Sequence, residues 1–206
     1  MTIEIIECEQ GTEEWLKCRL GVPTSSNFKK ILTPTGLESK QAEGYMNLLL
    51  AEIITGEVDG MEPNGWMQRG TDIEPVARSW YEMAHNLDVK QVGFVMADGY
   101  GASPDGLVGD DGLVEIKVPA PQNQVANLLS GKMPSEYIPQ IQGQMLVCER
   151  EWCDFLSYNP GMPPLLLRIE RDEKYIAALS ARLEWFTEQL ESKRQRLIEL
   201  GHLEEV

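Results

Sequence analysis

Ser103-Pro104-Asp105-Gly106-Leu107, followed by Gly112-Leu113-Val114-Glu115-Ile116-Lys117, is where this 206-residue chain gathers side chains that could do chemistry. Glu115 and Lys117 stand two apart in an alternating run. In a β-strand both leave the same face, while Ile116 points to the other, into the core. Asp105 sits at a turn after an earlier strand and approaches Glu115 if the two strands pair as a hairpin. Two converging carboxylates repel unless a cation neutralises them. Oxygen donors with no His or Cys nearby suit a hard cation, Mg2+ or Mn2+, and not zinc. The Lys117 ammonium could orient an attacking water or stabilise charge developing on a phosphate. The reaction class is then metal-assisted phosphodiester hydrolysis. The same residues also read as an ordinary turn and an ordinary alternating strand. An EF-hand does not fit, because a twelve-residue loop counted from Asp105 ends at Ile116, where a bidentate Glu is required.

Two further segments carry polar groups at useful spacing. Gln68-Arg69-Gly70-Thr71-Asp72-Ile73-Glu74 places the Glu74 carboxylate in a helix that opens after a glycine. Gln140-Ile141-Gln142-Gly143-Gln144 puts three amides in one helix, with Gln140 and Gln144 on a shared face. Such amides could contact a backbone phosphate or form a solvated polar stripe.

The elements that must position these groups follow from caps and periodicity. Thr12 caps an amphipathic helix carrying Trp15, Leu16, Cys18 and Leu20 and stopped by Gly21. Thr24-Ser25-Ser26 starts a short helix that ends before Pro34. Tyr45 to Ile54 is an apolar helix closed by Gly56, and a fourth helix runs through Ile73, Ala77, Trp80 and Tyr81 to near Asn86. The period then changes to two: Val89 to Met96, Tyr100 to Ser103 and Leu113 to Val118 read as strands separated by Asp98-Gly99 and Asp111-Gly112 turns. A helix from Pro121 to Gly131 and another over Ser135 to Cys148 precede strands at Trp152 to Tyr158 and Leu165 to Glu170. Asp172 caps a long final helix. The order predicts a single domain over 1–206, α/β or α+β, with a mixed sheet flanked by helices.

Charge narrows the function. There are 33 acidic and 18 basic residues, a formal net charge of −15, which argues against a simple nucleic-acid binder. The cations are unevenly spread: Lys17, Arg19, Lys29, Lys30 and Lys40 face only Glu38 between positions 17 and 40, so a basic face on an acidic body is possible. Cys8, Cys18, Cys148 and Cys153 form no Cys-x-x-Cys pair and read as reduced thiols. No apolar run approaches the roughly 18–20 residues of a membrane helix, and the N-terminus lacks the basic region of a signal peptide. Cytoplasmic location is the expectation.

Taken together, these stretches resemble the lambda exonuclease-type phage alkaline exonucleases, members of the PD-(D/E)xK, restriction-endonuclease-like nucleases. The resemblance covers Trp15 to Val22 with Thr24 and Ser26, Gly70 to Glu74, Ser103 to Leu107, Gly112 to Pro119, Tyr137 with Gln140 and Gln142, Tyr158-Asn159-Pro160, and Glu170 to Tyr175. The sequence departs from the family's pattern at Val118-Pro119, where Cys-Pro is common, and at Pro23. The resemblance implies a restriction-endonuclease-like core and a Mg2+-dependent 5′→3′ exonuclease that degrades one strand of double-stranded DNA and leaves 3′ overhangs. It implies that Asp105, Glu115 and the Ile116 carbonyl hold the metal, that Lys117 positions or activates water, and that Glu74 supports the site. Arg19, Ser26 and Ser103 would bind the 5′-phosphate, and Gln140 would contact the nucleotide near the cut. Trp15 and the Trp66-Met67 pair would form a wedge that unstacks the end. It further implies a toroidal homotrimer and a single-strand-annealing recombinase as partner. A related endonuclease, or a non-catalytic DNA-binding recombination adaptor, are the alternatives.

Overall fold

The computed structural model describes residues 2–58 and 65–204, with the side chains of Trp66 and Met67 outside that description. Strand β1 (Ile3–Ile6) leads into helix α1 (Glu13–Arg19), whose start is capped by the Thr12 side chain accepting the Trp15 N–H. A 3-10 turn (Ser25–Lys30) and helix α2 (Ala42–Thr55) follow, and Gly56 closes α2 in the left-handed region. Helix α3 (Gly65–His85) precedes five short strands: β2 (Val89–Lys90), β3 (Phe94–Ala97), β4 (Tyr100–Ala102), β5 (Gly106–Val108) and β6 (Gly112–Lys117). Helices α4 (Pro121–Ser130) and α5 (Ile138–Val147), the latter entered through a 3-10 turn (Ser135–Tyr137), lead to β7 (Trp152–Ser157) and β8 (Leu165–Glu170). The long helix α6 (Glu173–Glu199) ends the order.

The strands form two sheets, β1-β3-β4 and β2-β5-β6-β7-β8. Every pairing is antiparallel except β6 with β7. A parallel pair needs a long crossover, and α4 and α5 supply it. That crossover brings α5 back over the strand that carries Glu115 and Lys117. Alternation along β6 sorts its side chains between two apolar layers. Leu113 joins the main core with Phe28, Met145, Phe155 and Phe186, while Val114 and Ile116 pack with Ala77 and Tyr81 of α3. Glu115 therefore faces the α5 side, as the period-two pattern requires.

Three expectations change. The single strand expected over Val89 to Met96 splits, β2 pairing into the larger sheet and β3 into the smaller. The break falls at Gly93, where a Cβ would stand 2.3 Å from the Cys8 carbonyl oxygen, so two backbones touch there. Second, Gly112 belongs to β6, and the chain reverses over 109–111 with Gly109 at φ 58°. Third, α3 opens at Gly65, ahead of Gly70. The expected short second helix forms, as a 3-10 helix over Ser25–Lys30. Asp98-Gly99 does turn as expected, with φ 48° and 85°, the two positive values of a tight hairpin turn.

Candidate active site

Asp105 lies immediately before β5, and the hairpin brings it to β6. Its Oδ2 accepts the Ile116 N–H at 2.6 Å. Pairing between β5 and β6 ends at Gly106 opposite Val114, so beyond that point the Asp105 carboxylate takes over the edge of β6. In a strand the N–H and C=O of one residue point to the same edge and the next residue's pair to the other. The Ile116 carbonyl therefore faces Asp105's edge, while the Lys117 carbonyl faces β7 and accepts the Tyr158 N–H at 2.8 Å.

Glu115, 1% exposed, is held from α5. Gln140 donates to its Oε1 at 2.6 Å and Gln144 to its Oε2 at 2.7 Å. The i, i+4 spacing of the two amides thus spans one carboxylate. Lys117 pairs with Glu115 Oε1, and its ammonium lies 5.1 Å from the centre of the Tyr137 ring. That ring packs on Phe155 at 5.6 Å, fixing the approach of α5. Gly143 permits the close packing of α5 on the 3-10 turn, since a Cβ there would meet the Phe28 ring at 2.4 Å.

The electrostatics follow from crowding. Burial pushes the Asp105 carboxyl well above its ordinary value, and the Glu115 and Glu74 charges add to this against the pull of Lys117. Burial also raises Glu74; its partner Arg78 acts in the opposite direction, and Glu115 adds to the rise. Burial works against the Lys117 ammonium, but Glu115 and Asp105 outweigh it and hold the amine protonated. Asp105, Glu115, Lys117 and Glu74 thus share one electrostatic neighbourhood. Among the described residues no three acidic, His or Cys side chains stand ready as a closed metal cage.

A second group adjoins the first. The Trp15 indole N–H is shared by Ser103 Oγ at 2.9 Å and the Gly93 carbonyl at 3.1 Å, and the Arg19 guanidinium lies 3.9 Å over the Trp15 ring. Ser103 is two residues before Asp105, and Gln10 pins the intervening Pro104 carbonyl at 3.0 Å. Ser26 bonds the Thr24 hydroxyl at 3.2 Å, and a Thr24–Gly101 bridge lays this turn beside β4, which leads into Ser103. Trp15, Arg19 and Ser103 are in contact, with Ser26 on the neighbouring segment. Trp15 is half-buried and tied by its N–H, so it serves as the bed for Arg19. The Met67 side chain of the expected wedge lies outside the described residues.

Gln140 reaches Glu115 directly, which its spacing with Gln144 allowed but did not require. Sequence assigned neither Tyr45 nor Lys30 a role at the site. The Tyr45 hydroxyl accepts the Thr24 N–H at 3.1 Å, and the Lys30 ammonium lies 4.9 Å from its ring centre. Lys30 sits in the basic 17–40 segment, the one signal that could have marked it.

The YqaJ-like viral recombinase domain model matches residues 14–151, which contain both groups. An alkaline exonuclease (LHK-Exo) from Laribacter hongkongensis is 38% identical, with TM-score 0.84 over 92% of this chain and 98% of that one. A second structure of that enzyme, in complex with dAMP, matches equally. A phage-related exonuclease from Haemophilus somnus 129PT shares the fold at 13% identity and TM-score 0.67, over 85% of this chain and 96% of that one. The uncharacterized protein R354 of Acanthamoeba polyphaga mimivirus is 25% identical over 170 residues, 75% of this chain; the chain spans 30% of that relative's length. With its restriction-endonuclease-like fold, the chain belongs to the YqaJ-like viral recombinase domain family and is a nuclease of the alkaline exonuclease type.

Proposed function

We propose that the chain hydrolyses one strand of double-stranded DNA from its ends, 5′→3′, with Mg2+ as cofactor and Mn2+ as substitute, leaving 3′ single-stranded overhangs for recombination. The observation that carries this reading is the placement of Asp105 and the Ile116 carbonyl on one edge of β6, with Glu115 and Lys117 on the adjoining face and Ser103 two residues away. The relative's ligand dAMP, a 5′-mononucleotide, is of the product class such an enzyme releases.

The donor set suits a hard divalent ion. Asp105 and Glu115 offer carboxylates, Ile116 a carbonyl, and Glu74 a further carboxylate through water or directly. Burial first, and then the charges of Glu115 and Glu74, raise the Asp105 carboxyl, and a cation would relieve the like-charge part of that rise. When bound, the ion would supply Lewis acidity toward the scissile phosphate and lower the pKa of water. Lys117, protonated, would orient that water or hold charge on the phosphate. Gln140, beside Glu115, would touch the nucleotide at the cut. Arg19, Ser26 and Ser103 would bind the terminal 5′-phosphate, with Trp15 as the support of the guanidinium, since a guanidinium with hydroxyls makes an anion site. Three copies in a ring would encircle the duplex, with a single-strand-annealing recombinase taking the exposed strand.

End-labelled linear duplex is the test. With Mg2+, the wild-type protein should degrade 5′-phosphorylated ends faster than 5′-hydroxyl ends and leave a covalently closed circle intact. Asp105→Ala, Glu115→Ala and Lys117→Ala should each lower the rate by roughly 10²–10⁴-fold. Cutting of the circle would replace this reading with an endonuclease. Wild-type rates in any of the three variants would remove the site, and DNA binding without hydrolysis would favour an adaptor.

A further inference from the structure

Three buried glutamine amides, Gln124, Gln142 and Gln144, differ in how they are satisfied. Gln124 donates to the Ser157 and Pro163 carbonyls and accepts the Ser157 hydroxyl, so both ends of its amide are used. Gln142 donates to the Glu170 carbonyl at 3.0 Å and accepts the Asp172 N–H at 2.9 Å, tying α5 to the start of α6. Gln144 is as deeply buried, yet only its donor is used: Nε2 reaches Glu115 Oε2, while its own Oε1 is buried with no hydrogen-bond partner. A side chain kept only for stability would not leave a buried carbonyl orphaned, because that is costly. Turning the amide over would set its oxygen against the carboxylate, so Glu115 dictates its orientation.

From this we propose that Gln144 is a positioning residue that anchors Glu115 by Oε2 and thereby presents Oε1 to a divalent cation. The proposal rests on the metal-dependent reading above. The two groups on Oε1, Gln140 and Lys117, reach it from half-exposed positions, so Oε1 is the oxygen on the open side of the carboxylate. Oε2 is on the closed side, where Gln144 is fully buried. Without Gln144, Oε2 loses its donor and the carboxylate is held only through Oε1, the oxygen that would have to meet the ion. Partners that orient a metal-binding carboxylate typically change metal affinity by about 10–100-fold.

The test is calorimetric titration of Mn2+ into the full chain without DNA, with thermal unfolding measured in parallel. Gln144→Met keeps the volume and removes the donor, and should weaken Mn2+ binding by about tenfold or more. Gln142→Met, a neighbouring buried amide bonded to the β8–α6 junction, should lower the melting temperature and leave Mn2+ affinity unchanged. If Gln144→Met does not fold, Gln144→Asn, which keeps an amide but shortens its reach, should show the same loss of affinity. Mn2+ affinity within twofold of wild type in a folded Gln144 variant would overturn the proposal alone. No Mn2+ uptake by the wild-type chain would overturn the metal-dependent reading on which it rests.

Discussion

Asp105 is held where its charge is least welcome, half-buried beside Glu115 and Glu74, and a test of that arrangement needs no substrate. Burial, then Glu115, raises its carboxyl pKa above the ordinary 3.8. A carboxyl raised on folding stabilises the fold in its protonated form. That contribution is complete below the unfolded pKa and is lost as pH rises through the folded value. Asp105→Asn cannot ionise, and its carbonyl can still accept the Ile116 N–H. In chelator, the variant should match wild type near pH 3 and gain on it as pH climbs toward neutrality, by about 1 kcal/mol or about 3 °C in melting temperature. Parallel melting curves across that range would contradict the crowding. At this scale the sequence was legible where spacing alone decides the geometry, as for Glu115 and Lys117 on one face of β6. Spacing did not link Arg19, Trp15 and Ser103, which only the family resemblance named, because they come from α1 and from the residue after β4, and no local pattern joins them.

The elements that carry these residues meet through glycines. Gly143 lies between Gln140 and Gln144 on α5, and a Cβ there would stand 2.4 Å from a Phe28 ring atom. Phe28 is fully buried, so its ring cannot withdraw. Gly143→Ala should cost about 1–3 kcal/mol by overpacking, lower the melting temperature by about 2–10 °C, and reduce nuclease rate as both amides shift from Glu115. A wild-type melting curve would contradict this packing. Helix ends were readable because their signals are local: Thr12 and Asp172 accept N–H groups at helix starts, and Gly56 and Gly131 take left-handed conformations at helix ends. The short strands were not. β5 has three residues and opens with Gly106, where a Cβ would meet Val89 at 2.0 Å, so its existence depends on close approach to β2 and on pairing with β6.

For the molecule as a whole, a charge of −15 must coexist with a polyanionic substrate. The basic 17–40 segment is partly neutralised, since Lys17 pairs with Glu13, but Arg19 and Lys30 lie over the aromatic rings of Trp15 and Tyr45. In the proposed ring such cations line the channel and the acids face outward, which favours solubility and limits stray adsorption to DNA. Light scattering at working concentration should give three times the 23.2 kDa chain mass, and a monomer would contradict the ring. Among the described residues no helix is long and apolar enough to cross a membrane. The uneven charge was visible in the sequence, whereas the ring came only from the family resemblance, because a subunit contact leaves no periodic trace in one chain. Everything proposed for this molecule depends on a divalent ion at β6, which anomalous diffraction from Mn2+-soaked crystals tests most directly. The expected result is strong anomalous density bounded by Asp105, Glu115 and the Ile116 carbonyl. A map with no peak there, from crystals that hold Mn2+ elsewhere or not at all, would contradict the account.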